Sequence, residues 1–269
     1  MKILKASDIT TKYSPTKEDL SNLIKKDNTF KLSGDRIFHT IQGEGATLGK
    51  PATFVRLHFC NLSCSWCDTW YTWHRDTEQY YKEPFDMSVS ELHRGIRNAQ
   101  AAKGVSEENH VYRVIFTGGE PMLQQNEIAQ FLIENPVYIC EIETNGTIAP
   151  NEFLQKLCKE DRIRFNCSPK LANSGNNSKI AFNQNVLKIL ASFPTTIFKF
   201  VCNKPNDIDE ILEKFNFLPR GQIVIMPEGV TKEENAGAYE RIINKIIELS
   251  LTTYPRLQNI CFDGSKRGV

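Results

Sequence analysis

Apolar runs alternate with segments of helical period along most of this chain. Runs rich in Val, Ile or Phe at residues 52–59, 111–116, 137–143, 162–166, 196–201, 222–226 and 257–262 predict strands. Ser88-Val89-Ser90-Glu91 has the form of a capping box, which predicts a helix through about residue 102. Further helices are predicted over 124–134, 151–159, 183–192, 206–216 and 231–250. In the last of these Tyr239, Ile242, Ile243, Ile246 and Ile247 mark one apolar face. Residues 1–34 read as an N-terminal extension in which 17–26 form a short helix, and residues 35–269 as one large domain.

Strand–helix repetition implies parallel strands joined by right-handed crossovers, and in such folds the chemistry gathers at the carboxyl ends of the strands. Every segment of unusual composition falls there. The cysteine-bearing loop follows 52–59, Thr117-Gly118-Gly119-Glu120-Pro121 follows 111–116, and Glu143-Thr144-Asn145-Gly146 follows 137–143. Ser168-Pro169-Lys170 follows 162–166 and Met226-Pro227-Glu228-Gly229 ends 222–226. The expected fold is therefore α/β, a partial or open (β/α) TIM-like barrel of mostly parallel strands, with one composite site.

At 269 residues and 40% hydrophobic content the chain can bury a sizeable core. With 33 basic against 32 acidic residues, its charge gives no reason to expect direct nucleic-acid or membrane binding. No apolar run reaches membrane-spanning length, and the polar start lacks a signal-peptide core. Eight cysteines without a secretion signal point to a reducing cytoplasm, with Cys140, Cys158, Cys167, Cys202 and Cys261 expected as thiols in or near the core. His58, His74, His93 and His110 form no pattern and read as structural or exposed.

Cys60, Cys64 and Cys67 are spaced Cys-x3-Cys-x2-Cys. Three thiols on one loop can hold three corners of a [4Fe–4S] cubane and leave the fourth iron without a protein ligand, which opens it to chemistry. A zinc site completed by His58 or Asp68 is an alternative, although structural zinc favours paired Cys-x2-Cys knuckles. A disulfide framework suits a long chain with scattered cysteines poorly. In TGGEP the two glycines let backbone approach a ligand closely, as they would in any Gly-rich turn. Glu143–Gly146 and Ser168–Lys170 could equally be a turn and a helix entry.

The cysteine triplet followed by TGGEP resembles the radical S-adenosylmethionine (SAM) enzymes. Thr40-Ile41-Gln42-Gly43-Glu44-Gly45, Phe54-Val55-Arg56 and Cys67-Asp68-Thr69 narrow the resemblance to the 7-carboxy-7-deazaguanine synthases, from about residue 36 onward. The resemblance implies that Cys60, Cys64 and Cys67 hold the cluster. It places SAM against Trp66, Cys67, Asp68, Gly118, Gly119, Glu120, Glu143, Thr144, Asn145, Ser168, Pro169 and Lys170, with Met226, Pro227, Glu228 and Gly229 closing on the adenine. Mg²⁺ is expected at the Thr69 hydroxyl, which suits a hard cation that keeps water and substrate oxygens; Asp68 and Thr69 could also simply cap the loop.

The implied reaction is a ring contraction. A 5′-deoxyadenosyl radical takes hydrogen from C6 of 6-carboxy-5,6,7,8-tetrahydropterin, ammonia leaves, 7-carboxy-7-deazaguanine forms, and SAM is regenerated as a cofactor. Such a pterin needs a cation for its carboxylate and amide or acid groups for its ring edge. Arg56 offers a bidentate fork and Gln42 both donor and acceptor, while Ile41, Gly43, Glu44 and Thr117 complete the expected substrate set. The tail adds Val269, with Lys266 or Arg267; some members present a His there, and this tail has none. An electron donor such as flavodoxin or ferredoxin and a homodimer are further family expectations. Another radical SAM enzyme, such as a glycyl-radical activase or an epimerase, and a non-catalytic zinc-binding module are the competing readings. Nothing in the resemblance explains residues 1–34 or 171–185.

Overall fold

The computed structural model describes residues 4–262; Lys266, Arg267 and Val269 lie outside the described residues. Among the described residues nine strands form one sheet: β1 (Thr29–Ile41), β2 (Pro51–Leu57), β3 (Phe85–Ser88), β4 (Arg113–Gly118), β5 (Ile139–Thr144), β6 (Ile163–Cys167), β7 (Ile197–Cys202), β8 (Ile223–Pro227) and β9 (Thr252–Thr253). Their order is β3-β1-β2-β4-β5-β6-β7-β8-β9. From β2 onward every neighbouring pair is parallel, while β1 runs antiparallel to both β2 and β3. This is the open, mostly parallel barrel expected of the repeating pattern.

The helices among the described residues are α1 (Lys17–Asn22), α2 (Glu78–Lys82), α3 (Val89–Ala101), α4 (Gln125–Glu134), α5 (Glu152–Lys159), α6 (Ser178–Ala181), α7 (Gln184–Ala191), α8 (Pro205–Lys214), α9 (Lys232–Glu248) and α10 (Leu257–Phe262). The capping box forms as expected: Glu91 N–H donates to Ser88 Oγ at 3.3 Å and Ser88 N–H to Glu91 Oε2 at 3.1 Å. Such a cap contributes about 1 kcal/mol and fixes where α3 begins. Its buried Leu92 and Ile96, one turn apart, then face the sheet.

Strand alternation sets the site. Ile142, Phe165, Phe198 and Phe200 point outward into the core beneath the helices, so their neighbours Glu143, Asn166 and Lys199 point into the barrel. A small apolar group, Ala52, Phe54 and Ile115 with Phe38 against them, lines the interior below the polar side chains.

Several expectations are corrected. Residues 257–262, expected as a strand, form α10, because Leu257, Ile260 and Cys261 recur at helical as well as strand spacing and β9 already ends the sheet. The boundary drawn at residues 34 and 35 falls inside β1, whose Phe30 and Leu32 are wholly buried. In α9, Ile242 and Ile246 are buried but Ile247 is 68% exposed, since the helix turns it away from β8. Cys261 is exposed rather than near the core, lying on the outer side of α10.

Candidate active site

A cavity of about 290 Å³ opens at the carboxyl ends of the strands, and Cys60, Cys64 and Cys67 share one wall of it. The loop that carries them starts under strain. Phe59 adopts φ +75, a left-handed conformation rare for an aromatic residue. Its amide donates to Thr72 O at 3.2 Å while its carbonyl accepts Glu120 N–H at 2.8 Å. The second contact explains a glycine: a Cβ on Gly119 would sit 1.9 Å from Phe59 O, and one on Gly118 (φ +113) 2.3 Å from Leu57 O. The paired glycines therefore let β4 lie directly against the start of the cysteine loop.

The donor set fits a cluster that takes three protein ligands. Cys60, Cys64 and Cys67 pack in one group with Leu62, Trp66 and Ala181, and among the described residues no fourth cysteine lines the cavity. Burial, with the Glu120 charge nearby, pushes the Cys60 thiol up to about 12; burial and Asp68 push Cys67 to about 11. Iron ligation requires thiolates, so loading must displace these protons. His58, weighed as a zinc ligand, packs between Phe59 and Tyr80 at 4.7 and 4.9 Å and does not line the cavity.

Around the thiols the cavity is lined by Trp66, Asp68, Thr69, Gly118, Gly119, Glu143, Thr144, Asn145, Ser168 and Lys170. Lys170 Nζ donates to Ser168 Oγ at 3.1 Å and lies 5.1 Å from the centre of the Trp66 ring. Thr69 Oγ1 donates to Gly118 O at 3.2 Å and lies 3.5 Å from Cys67 Sγ. Glu120 is not on the wall. It is wholly buried and accepts from Asn145 N–H at 2.7 Å, Thr144 Oγ1 at 2.8 Å and Met122 N–H at 3.0 Å, so it ties the ends of β4 and β5 together. Burial pushes its carboxyl up, against those hydrogen bonds. Pro169, Met226, Pro227, Glu228 and Gly229 also lie off the wall: Met226 is buried in β8, and Gly229 O accepts from Arg256 and Asn259.

The cavity wall also holds Ile41, Gln42, Gly43, Glu44, Arg56 and Thr117. The phase of β2 puts Arg56 on the cavity side beside Thr117 of β4, with its guanidinium 5.3 Å from the Phe38 ring centre. Glu143 accepts from Thr117 Oγ1 at 2.9 Å and from Gln42 Nε2 at 3.4 Å.

Sequence reasoning missed Lys199, Arg256 and Gln258, all of which line this wall. Lys199 Nζ donates to Glu44 Oε2 at 3.0 Å and lies 3.6 Å from Glu143. Arg256 Nε and Gln258 Nε2 donate to Glu44 Oε1 at 2.9 and 2.6 Å. Burial works against the charge on Glu44, but Lys199 and Arg256 outweigh it and hold the carboxyl well below its ordinary range. The signal for Lys199 was a charge inside the apolar run TIFKFV; Arg256 and Gln258 sit in a segment read as a strand and its lead-in. The N-terminal segment was missed too. Ala6 and Ser7 amides donate to Cys67 O and Ser65 O at 2.9 and 2.8 Å, and Lys5 pairs with Glu228 at 2.7 Å.

Comparison with known proteins agrees with this geometry. Residues 54–193 match the radical SAM superfamily model. The chain is 33% identical over 239 residues to the 7-carboxy-7-deazaguanine synthase of Pyrobaculum aerophilum, covering 86% of this chain and 95% of that protein. It is 30% identical to the synthase of Aquifex aeolicus, covering 80% and 85%. Among solved structures, QueE from Escherichia coli shares the fold, with a TM-score of 0.60 at 20% identity over 90% of this chain and 99% of that one. A cavity walled by three thiols, the paired glycines beneath it and these matches lead to one conclusion: the chain belongs to the 7-carboxy-7-deazaguanine synthase family of radical SAM enzymes.

Proposed function

We propose that this chain converts 6-carboxy-5,6,7,8-tetrahydropterin to 7-carboxy-7-deazaguanine with loss of ammonia, the ring contraction of queuosine-type 7-deazapurine biosynthesis. One observation carries the reading: three thiols and a set of polar and charged side chains line one cavity. When bound, the [4Fe–4S] cluster and SAM supply the radical that begins the reaction. Everything else falls to side chains of this chain.

Cys60, Cys64 and Cys67 hold the cluster. Gly118, Gly119, Ser168 and Lys170 line the space beside it for SAM, and Glu120 holds the backbone of Asn145 in place rather than reaching the ligand. Arg56 offers its guanidinium to the substrate carboxylate, a charge-assisted pairing worth about 1.5–3 kcal/mol. Glu44, kept ionised by Lys199 and Arg256, accepts from the N–H edge of the pterin ring. Glu143 and Gln42 supply an acceptor and an amide nearby. The Thr69 hydroxyl, beside Gly118 O and Cys67 Sγ, would be the protein contact for Mg²⁺, a hard cation that takes oxygen ligands.

In this reading the electron comes from a low-potential protein such as flavodoxin or ferredoxin, and the enzyme acts as a homodimer, both taken from the family resemblance. Eight free thiols fit a reducing, cytoplasmic setting. No described helix is long and apolar enough to cross a membrane. The test is direct. Anaerobically reconstituted, reduced protein given SAM, Mg²⁺ and 6-carboxytetrahydropterin should release ammonia and the deazapurine. Cleavage of SAM with neither product would assign the chain to a different radical SAM reaction.

A further inference from the structure

Residues 171–185, to which the family resemblance gives no role, fold over the cysteine loop. Ser65 N–H donates to Ser174 O at 3.0 Å, and Trp66 Nε1 donates to Asn173 Oδ1 at 3.3 Å. Asn173 Nδ2 donates in turn to Val201 O at 2.9 Å, which anchors the segment to β7. Beyond this anchor sits Asn176. Its Oδ1 accepts Ser63 N–H at 2.9 Å, while its Nδ2 donates to Cys64 Sγ and to Ser174 Oγ, both at 3.1 Å. Ser63 decides which way the carboxamide points. A backbone amide can only donate, so it takes the oxygen and turns the NH2 group toward the sulfur.

A sulfur bound to iron carries negative charge and accepts such a bond more strongly as the cluster gains an electron. Hydrogen bonds to ligating sulfurs are accordingly one of the protein's levers on reduction potential. We propose that Asn176 is a positioning residue for the cluster, holding Cys64 in place and raising the cluster's reduction potential through its Nδ2–H···Sγ bond. The inference rests on the assignment of the three thiols to a [4Fe–4S] cluster. Asn176 does not line the cavity, so its influence on SAM or pterin passes through that sulfur.

Two variants separate the donor from the clamp. Asn176→Leu removes both bonds in a side chain of similar size. Asn176→Asp keeps an oxygen for Ser63 N–H and replaces the donor with a negative charge. Each is reconstituted anaerobically, its iron and sulfide counted, and its cluster titrated potentiometrically by electron paramagnetic resonance without SAM. Both are expected to load a full cluster, because the Ser65–Ser174 and Ala6–Cys67 backbone bonds remain. At fixed solution potential their reduced-to-oxidised ratio should fall by about tenfold, equivalent to about 59 mV for a one-electron couple. A loaded variant with the wild-type midpoint overturns the proposal. If the Leu variant does not load, the Asp variant decides. Wild-type protein that binds no cluster overturns instead the assignment on which the proposal rests.

Discussion

Lys199 Nζ donates to Glu44 Oε2 at 3.0 Å, joining β7 to the loop after β1 across 155 positions of sequence. With Glu143 at 3.6 Å and Arg256 on the far side of Glu44, the four residues form two cations against two carboxylates on the cavity wall. Lys199 is only 4% exposed and Glu44 17%, so neither charge is well hydrated and each depends on its partner. Replacing Lys199 by Met leaves two carboxylates facing one another. Urea unfolding of the Lys199→Met protein should show a loss of about 2 kcal/mol, below the full buried-pair range because Glu44 keeps Arg256 and some solvent. An unchanged midpoint would show that the pair contributes nothing to stability.

The same network predicts a pH profile. Glu44 is opposed by burial but carried well below its ordinary value by Lys199 and Arg256, so its contribution is complete above the unfolded carboxylate pKa and is lost as pH falls toward the folded one. Lys199 is likewise opposed by burial but raised by Glu143 and Glu44; its contribution is complete below the ordinary lysine pKa and is lost only as pH rises beyond it. Stability from this group should therefore be level between roughly pH 5 and 9 and decline below about pH 4. In Glu44→Gln the acid decline should be shallower in urea titrations at successive pH values.

Replacing Cys60, Cys64 or Cys67 by Ala should abolish the cluster's visible absorbance and SAM cleavage while far-ultraviolet circular dichroism stays native. These side chains border a cavity rather than fill the main core, so truncation opens no void there. Retained SAM cleavage in any of the three would contradict the ligand assignment.

Arg56→Ala should lower kcat/KM for the pterin by roughly 10- to 100-fold, the value of one charge-assisted bond, and lower uncoupled SAM cleavage much less. Equal losses in both measurements would place its role elsewhere.

Gly119→Ala tests the backbone contact under the cysteine loop. The added carbon would meet Phe59 O at 1.9 Å, and no flexible side chain can yield there. The loop must shift, so iron content after reconstitution should drop by more than half relative to wild type. Full loading would show that β4 and the loop can separate freely.

The strand–helix alternation, the α3 cap and all strand-end motifs were legible because each depends on local pattern alone. The long β1 was not. Its segment TFKLSGDRIFHTI is interrupted by Ser33-Gly34, and only pairing with β2 and β3 on its two sides makes it continuous. Glu120 was legible as part of a motif but not in its place, since a carboxylate reads alike whether it meets a ligand or the amides of Asn145 and Met122.

By itself, the sequence determined the close set of three cysteines, the glycines that crowd beneath them and the parallel barrel that presents them, because spacing and period act over a few residues. The tertiary structure decided which other residues join them. Lys5 and Arg256 have no local mark of function, Lys199 shows only a charge inside an apolar run, and Asn176 is an ordinary loop residue until the chain brings its amide to Cys64 Sγ at 3.1 Å. Charge pairing and hydrogen bonding are contacts through space, and such contacts exist only once folding has set the distances.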